Sequence, residues 1–192
     1  MTRFFWGDID LKWFPEACLS HPRHKGFYTV KHFIEGETMP GAGILNIGTW
    51  RDRVRDGKLM EGITPLQVAS ALEAHAAATL KLVAELRPAK TKELRLTLGD
   101  YEAMAHLGNY YAEKILGATQ LSLYDATGAP ERKQEAIVHL KTALAHWQRY
   151  AAVAAAQYKP QLFNRVGNVD LNALTAKVAE DIALADAWQR SR

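Results

Sequence analysis

Three groups of side chains in this chain of 192 residues have the types and spacing to do chemistry. The first lies near the N-terminus, where Asp8, Asp10 and Glu16 stand among Trp6 and Trp13, with Trp50 further on. Glycosidic cleavage needs two carboxylates, one as acid and one as base or nucleophile. Flat aromatic faces are natural platforms for sugar rings. Glu16, Asp8 and Asp10 are therefore the candidate catalytic carboxylates, and Trp6, Trp13 and Trp50 the candidate substrate-binding rings. The bland alternative is that the rings plug one end of a bundle and the acids face water. Spacing does not choose between the two, because the separation of carboxylates is a tertiary fact.

The second group is a pair of polar lines on two helices. Glu102, His106, Asn109 and Glu113 follow one another at steps of four, three and four, so they share one helix face. His139, His146 and Tyr150 make a second line, set away from a Leu/Trp stripe. If the two faces meet, they form a polar seam inside the bundle. A carboxylate beside an imidazole can orient the ring or share a metal with it. Di-iron bundles use Glu-x-x-His, with the His three positions after the Glu. Here Glu102–His106 and Glu135–His139 are both spaced at four, which argues against such a site. The plainer reading is a solvated face whose pairs contribute a few tenths of a kcal/mol each.

The third group is Cys18, His21, His24 and His32. Zinc takes four such ligands in a tetrahedron. Pro22 stiffens the loop, however, and C-x2-H-x2-H is not a zinc spacing. It reads as a polar loop, and no metal or cofactor is assigned. There is also no G-x-S-x-G, no P-loop, no G-x-G-x-x-G after a strand, no H-E-x-x-H and no C-x-x-C, so the corresponding enzyme classes lose support.

The elements that must position these groups divide near residue 62. Residues 1–61 form an aromatic, Gly/Pro-rich segment expected to pack on the bundle. The 27–34 stretch reads as either a strand or a helical turn, 39–43 as a loop and 44–54 as a short helix. Residues 62–192 are rich in Ala and Leu at helical period, and predict a mainly α fold: an antiparallel bundle of about four helices. Thr64, Pro65 and Gln67 form an N-terminal capping box, and Pro88 ends that first helix. A second helix of about 30 residues carries Leu94, Leu98, Tyr101, Ala105, Tyr111, Ile115 and Ala118 on one side. Gly99, Gly108 and Gly117 lie inside it, nine apart, where each costs about 1 kcal/mol relative to Ala. Close approach of a neighbouring helix is the expected compensation. A third helix starts at Pro130, with Ile137, Leu140, Leu144, Trp147, Ala151, Ala154 and Tyr158 on its stripe. Asn168 or Asp170 caps the fourth.

Hydrophobic residues make up 48% and charged residues 23%, as in ordinary folded domains. Lys and Arg total 24 against 21 Asp and Glu, a net charge of +3, and they are scattered. That gives no basic stripe for nucleic acid. No run approaches the ~20 apolar residues needed to span a bilayer. A single cysteine permits no internal disulfide. With Asp8 and Asp10 so near the start, no secretory signal is apparent, and a cytoplasmic location is expected.

Several stretches carry a family resemblance when taken together. They are Gly7 to Cys18, Thr64 to Ala69, Leu96 to Asp100, Leu107 to Ile115, His146 to Tyr150 and Asn164 to Asp170. They resemble the C-terminal helical region of large bacterial proteins related to α-glucuronidase-type glycoside hydrolases, often carbohydrate-binding. The resemblance implies a sugar context and a carbohydrate ligand. It also implies a chain lacking the barrel where such enzymes keep their catalytic acids, so it carries over no catalytic residue. A former domain interface would then be exposed, with Trp6, Trp13 and Trp50 as its candidates, and covering it would favour a homodimer. Two further readings stand beside the carbohydrate-active one. One is a non-catalytic helical assembly module. The other is an enzyme or metal binder built on Glu102, His106, Glu113, His139, His146 and Tyr150.

Overall fold

In chain order the elements are β1 (Ser20–His21), β2 (His24–Lys25), α1 (Val30–Glu35), α2 (Ile47–Arg55), α3 (Pro65–Leu86), α4 (Lys92–Thr127), α5 (Pro130–Gln157), β3 (Gln161–Phe163), β4 (Gly167–Val169) and α6 (Leu171–Asp186). The computed structural model describes residues 20–21, 24–25, 27–38, 41–88, 90–163 and 167–190. The fold is mainly α: four helices make the bundle, α1 and α2 pack on it, and each strand pair is a small antiparallel hairpin.

The sequence signals for helix ends act as the physical chemistry requires. Thr64 Oγ1 accepts from the Gln67 N–H at 3.2 Å, and Gln67 Oε1 accepts from the Thr64 N–H at 2.8 Å. Each satisfies a donor that a helix start leaves unpaired. Gly128 takes a left-handed φ of +74° to end α4, and Pro130 occupies the first position of α5. Asp170, the second of the two expected residues, caps α6 through its Oδ1, which accepts from the Asn172 and Ala173 N–H groups.

Helix α4 organises the rest. Its 36 residues span about 54 Å at 1.5 Å per residue. Contacts with α5 run in opposite chain order: Gly117 faces the Ala136 carbonyl, Glu113 meets His139, His106 meets His146, and Asp100 meets Gln157. The pair is therefore antiparallel. On another side α4 packs against α3, while α6 packs against α5. Nine residues make two and a half helical turns, so the three internal glycines of α4 alternate in direction. A Cβ on Gly108 would stand 4.0 Å from Ala76 of α3. One on Gly117 would stand 3.0 Å from Leu140 Cγ and 3.3 Å from the Ala136 carbonyl oxygen of α5. One on Gly99 would strike the Gln157 side chain. Close approach of a neighbouring helix therefore accounts for Gly117, whereas Gly108, on the opposite face, has room for a methyl group.

That geometry corrects the expectation of a single apolar side on α4. Between Ala103 and Leu123 it is buried nearly all round, whereas Leu94 and Tyr101 near its start are exposed. A helix with neighbours on several sides has no single stripe. The 27–34 stretch becomes helical at Val30, with the Thr29 N–H donating to His32 Nδ1 at 3.1 Å. The β3–β4 hairpin between α5 and α6 was not expected from the pattern.

The core beside α4 holds a buried ion pair. Lys114 and Asp181 have side chains 0% and 1% exposed, with Nζ 2.7 Å from Oδ2. Lys114 Nζ also donates to the Tyr28 carbonyl at 2.5 Å and the Tyr110 hydroxyl at 3.0 Å. Its charge lies 4.4 Å from the centroid of the Phe27 ring and 5.0 Å from that of Phe33. Asp181 Oδ1 accepts from the Val30 N–H at 2.7 Å. Both charges thus hold the main chain of the segment leading into α1, where Phe27 stands edge-on to the fully buried Trp147.

Candidate functional site

The two polar lines meet along the α4–α5 seam in two separate pairs. Antiparallel packing brings Glu113 opposite His139, with Oε2 2.7 Å from Nδ1. Two turns along each helix, the His106 and His146 rings face one another with centroids 6.2 Å apart and planes tilted by 30°. Glu102 sits one turn before His106 and forms an ion pair with Arg87, just beyond α3.

The pairs differ in environment. The Glu113 and His139 side chains are 16% and 29% exposed, so the pair lies within reach of solvent. A carboxylate on Nδ1 selects the tautomer with the proton on that nitrogen and leaves Nε2 as the basic atom. His106 is only 8% exposed, and the Nδ1 atoms of both His106 and His146 are enclosed without a hydrogen-bond partner. Burial pushes the His106 imidazole below its ordinary range; Glu102 opposes that shift, and His146 and Arg149 add to it. Burial likewise lowers His146, with Arg149 adding and Glu113 opposing. Both rings are thereby held neutral near pH 7.

Tyr150 does not belong to this line. It is buried, and its ring stands edge-on to Trp147 at 5.4 Å, so the expectation that it lies away from the Leu/Trp stripe is corrected. Three residues after Trp147, it falls on the same helix face. Among the described residues, no three His, Cys, Asp or Glu side chains gather as a group that could hold a metal ion.

Trp6, Asp8, Asp10, Trp13 and Glu16 lie outside the described residues, as does Cys18. Trp50, the remaining candidate platform, sits in α2 at 6% exposure, with its ring in the interior. His21 and His24 are paired across the β1–β2 hairpin, and His32 Nδ1 is taken by Thr29. Two features escaped the sequence reading. Arg149, three residues after His146, bears on both imidazoles, and that spacing was visible. The Lys114–Asp181 pair had a fainter signal: Lys114 lies four and three residues after Tyr110 and Tyr111, on their apolar face of the helix.

Among the described residues no helix is long and apolar enough to cross a membrane. No protein-family model, no curated protein and no solved structure matches the chain.

Proposed function

We propose that the chain acts on a small polar substrate through acid–base chemistry at the α4–α5 seam, with His139 Nε2 as the proton acceptor and Glu113 as the group that orients it. The observation that carries this reading is the 2.7 Å contact between Glu113 Oε2 and His139 Nδ1 at partial exposure. An imidazole fixed at one nitrogen by a carboxylate and open at the other is the arrangement used by general bases. His106 and His146 extend the seam as neutral groups. Glu102 is held by Arg87 and is not a second free carboxylate.

The carbohydrate-active reading stands as a second proposal. Its support is the sequence resemblance and the clustering of Trp6, Asp8, Asp10, Trp13 and Glu16. It supplies the substrate class for the first test, a hydrolysis screen on chromogenic glycosides, glucuronides included. His139→Ala, Glu113→Gln and Glu16→Gln are assayed beside the wild type. Loss of a general base removes about 10²–10⁴-fold of rate. A loss of that size in His139→Ala and a smaller one in Glu113→Gln, with Glu16→Gln unchanged, supports the seam. A loss confined to Glu16→Gln places the chemistry in the N-terminal segment and defeats the seam reading. With no activity on any sugar, the next assay is ester and phosphoester hydrolysis by the same variants.

A further inference from the structure

We propose that the His106–His146 pair is a proton-operated release for the α4–α5 seam, loosening the contact between the two helices when the solution becomes mildly acidic. The inference goes beyond the acid–base reading above and does not need it.

The geometry is that of two facing titratable rings, each with one nitrogen enclosed where a charge would have no partner. They face each other across two helices at 6.2 Å, one from each side of the interface. Each has an enclosed Nδ1 without a partner, so a proton arriving there finds no acceptor. The charged groups that bear on His106 are Glu102 and Arg149, besides His146 itself. Those that bear on His146 are Arg149 and Glu113. Both carboxylates are already occupied: Glu102 pairs with Arg87 from the α3 side, and Glu113 pairs with His139 from α5. Arg149 adds a third positive charge. Two imidazolium ions at this distance beside a guanidinium repel one another and resist desolvation. Separating α4 from α5 locally admits water to both enclosed Nδ1 atoms. Burial and the Arg149 charge favour the same neutral state, which fits this reading.

The device has a built-in reporter. Trp147 follows His146 directly, is fully buried, and packs against Tyr110, Tyr150 and Phe27. Loosening at His146 therefore disturbs an aromatic cluster with a strong near-ultraviolet signal.

The test is amide hydrogen exchange on the full chain between pH 7.5 and 5, corrected for the intrinsic pH dependence of exchange and resolved by peptide. In the wild type, protection over residues 102–113 and 139–150 falls as the pH drops through the ordinary histidine range, by at most about tenfold per pH unit for each ring that becomes charged on opening. Residues 65–80 of α3 serve as the internal reference and keep their protection. The double variant His106→Gln/His146→Gln loses the pH response, whereas His75→Gln on the outer face of α3 retains it. Should the double variant fail to fold, the histidine ring signals of the wild type are titrated by NMR, and both His106 and His146 are expected to titrate below the ordinary range. The proposal is overturned by unchanged seam protection down to pH 5. It is equally overturned by an identical response in the double variant, or by ordinary titration of both rings.

Discussion

Replacing Lys114 with Met separates the roles of the buried charges. In the wild type the Lys114 ammonium is bound by Asp181, the Tyr28 carbonyl and the Tyr110 hydroxyl, and faces the Phe27 and Phe33 rings. Lys114→Met fits a side chain of similar length among those rings. It leaves the Asp181 carboxylate at 1% exposure with only the Val30 N–H on Oδ1. Breaking a buried pair in this way costs about 3–5 kcal/mol, because the remaining charge is uncompensated. With a urea m-value of about 2 kcal/mol/M, the unfolding midpoint falls by about 2 M. Asp181→Asn is milder, since the amide oxygen still accepts from Val30 and the ammonium keeps two hydrogen bonds and its aromatic neighbours, worth about 0.5–2 kcal/mol. The double variant Lys114→Met/Asp181→Asn removes both charges and keeps the Val30 contact. It is expected within about 2 kcal/mol of wild type, a coupling well above the roughly 0.5 kcal/mol of independent sites. Equilibrium urea unfolding of the four proteins measures all three quantities. Additive costs, or a Lys114→Met penalty under about 1 kcal/mol, would refute the reasoning that these charges depend on each other.

Three further outcomes follow from the packing. Gly117→Ala and Gly108→Ala should differ in sign: the first drives a methyl to 3.0 Å from Leu140 Cγ and destabilises by about 1–3 kcal/mol, while the second meets Ala76 at 4.0 Å and gains up to about 1 kcal/mol of helix propensity, both read from thermal unfolding. Thr64→Ala removes the acceptor for the Gln67 N–H and should cost about 1 kcal/mol by the same measurement. His106 and His146 are held below their ordinary value in the folded chain, so the unfolded chain binds more protons as pH falls through about 6.5. Their contribution is therefore complete above that pH and is lost below it. Urea midpoints at pH 7.5 and 5.5 should show the drop in wild type and a smaller one in His146→Gln, and equal drops in both would exclude His146 as its source.

The parts of this fold that were legible in the sequence are those governed by neighbours along the chain. Thr64 with Gln67, Pro130, Gly128 and Asp170 mark helix ends because capping needs only the next three or four residues. The apolar stripe of α5 was equally plain from Ile137 to Ala154, since that helix turns one broad face to the core, but the expected last member, Tyr158, follows the helix end and is exposed. Legibility failed where two or more partners act at once. The apolar positions of α4 are spread around its circumference because α3 and α5 take different sides. The nine-residue spacing of its glycines was visible, yet its meaning, alternate faces, appears only with the neighbours in place. The facing of His106 and His146 depended on the α4–α5 register, which no local signal fixes. Lys114 and Asp181, 67 positions apart, could be paired only in three dimensions.

Neighbouring positions on α4 link the polar seam to the buried ion pair. Glu113 and Lys114 are consecutive and so point about 100° apart around the helix. Glu113 reaches across to α5, where it meets His139, and Lys114 reaches inward to Asp181 of α6 and the Tyr28 carbonyl. The segment before α1 and the carboxylate of the seam are thus anchored within one turn of the same rigid helix. Phe27 and Tyr110 close the loop by contacting Trp147, which sits beside His146. A disturbance of the N-terminal segment therefore has a short physical route to the imidazole pair, through one helix turn and one aromatic cluster. The route makes a definite demand. Weakening the Lys114 anchor with Asp181→Asn should raise exchange of the 139–150 amides more than that of the α3 amides, even at neutral pH. Equal increases in both would mean that the two features merely share a helix.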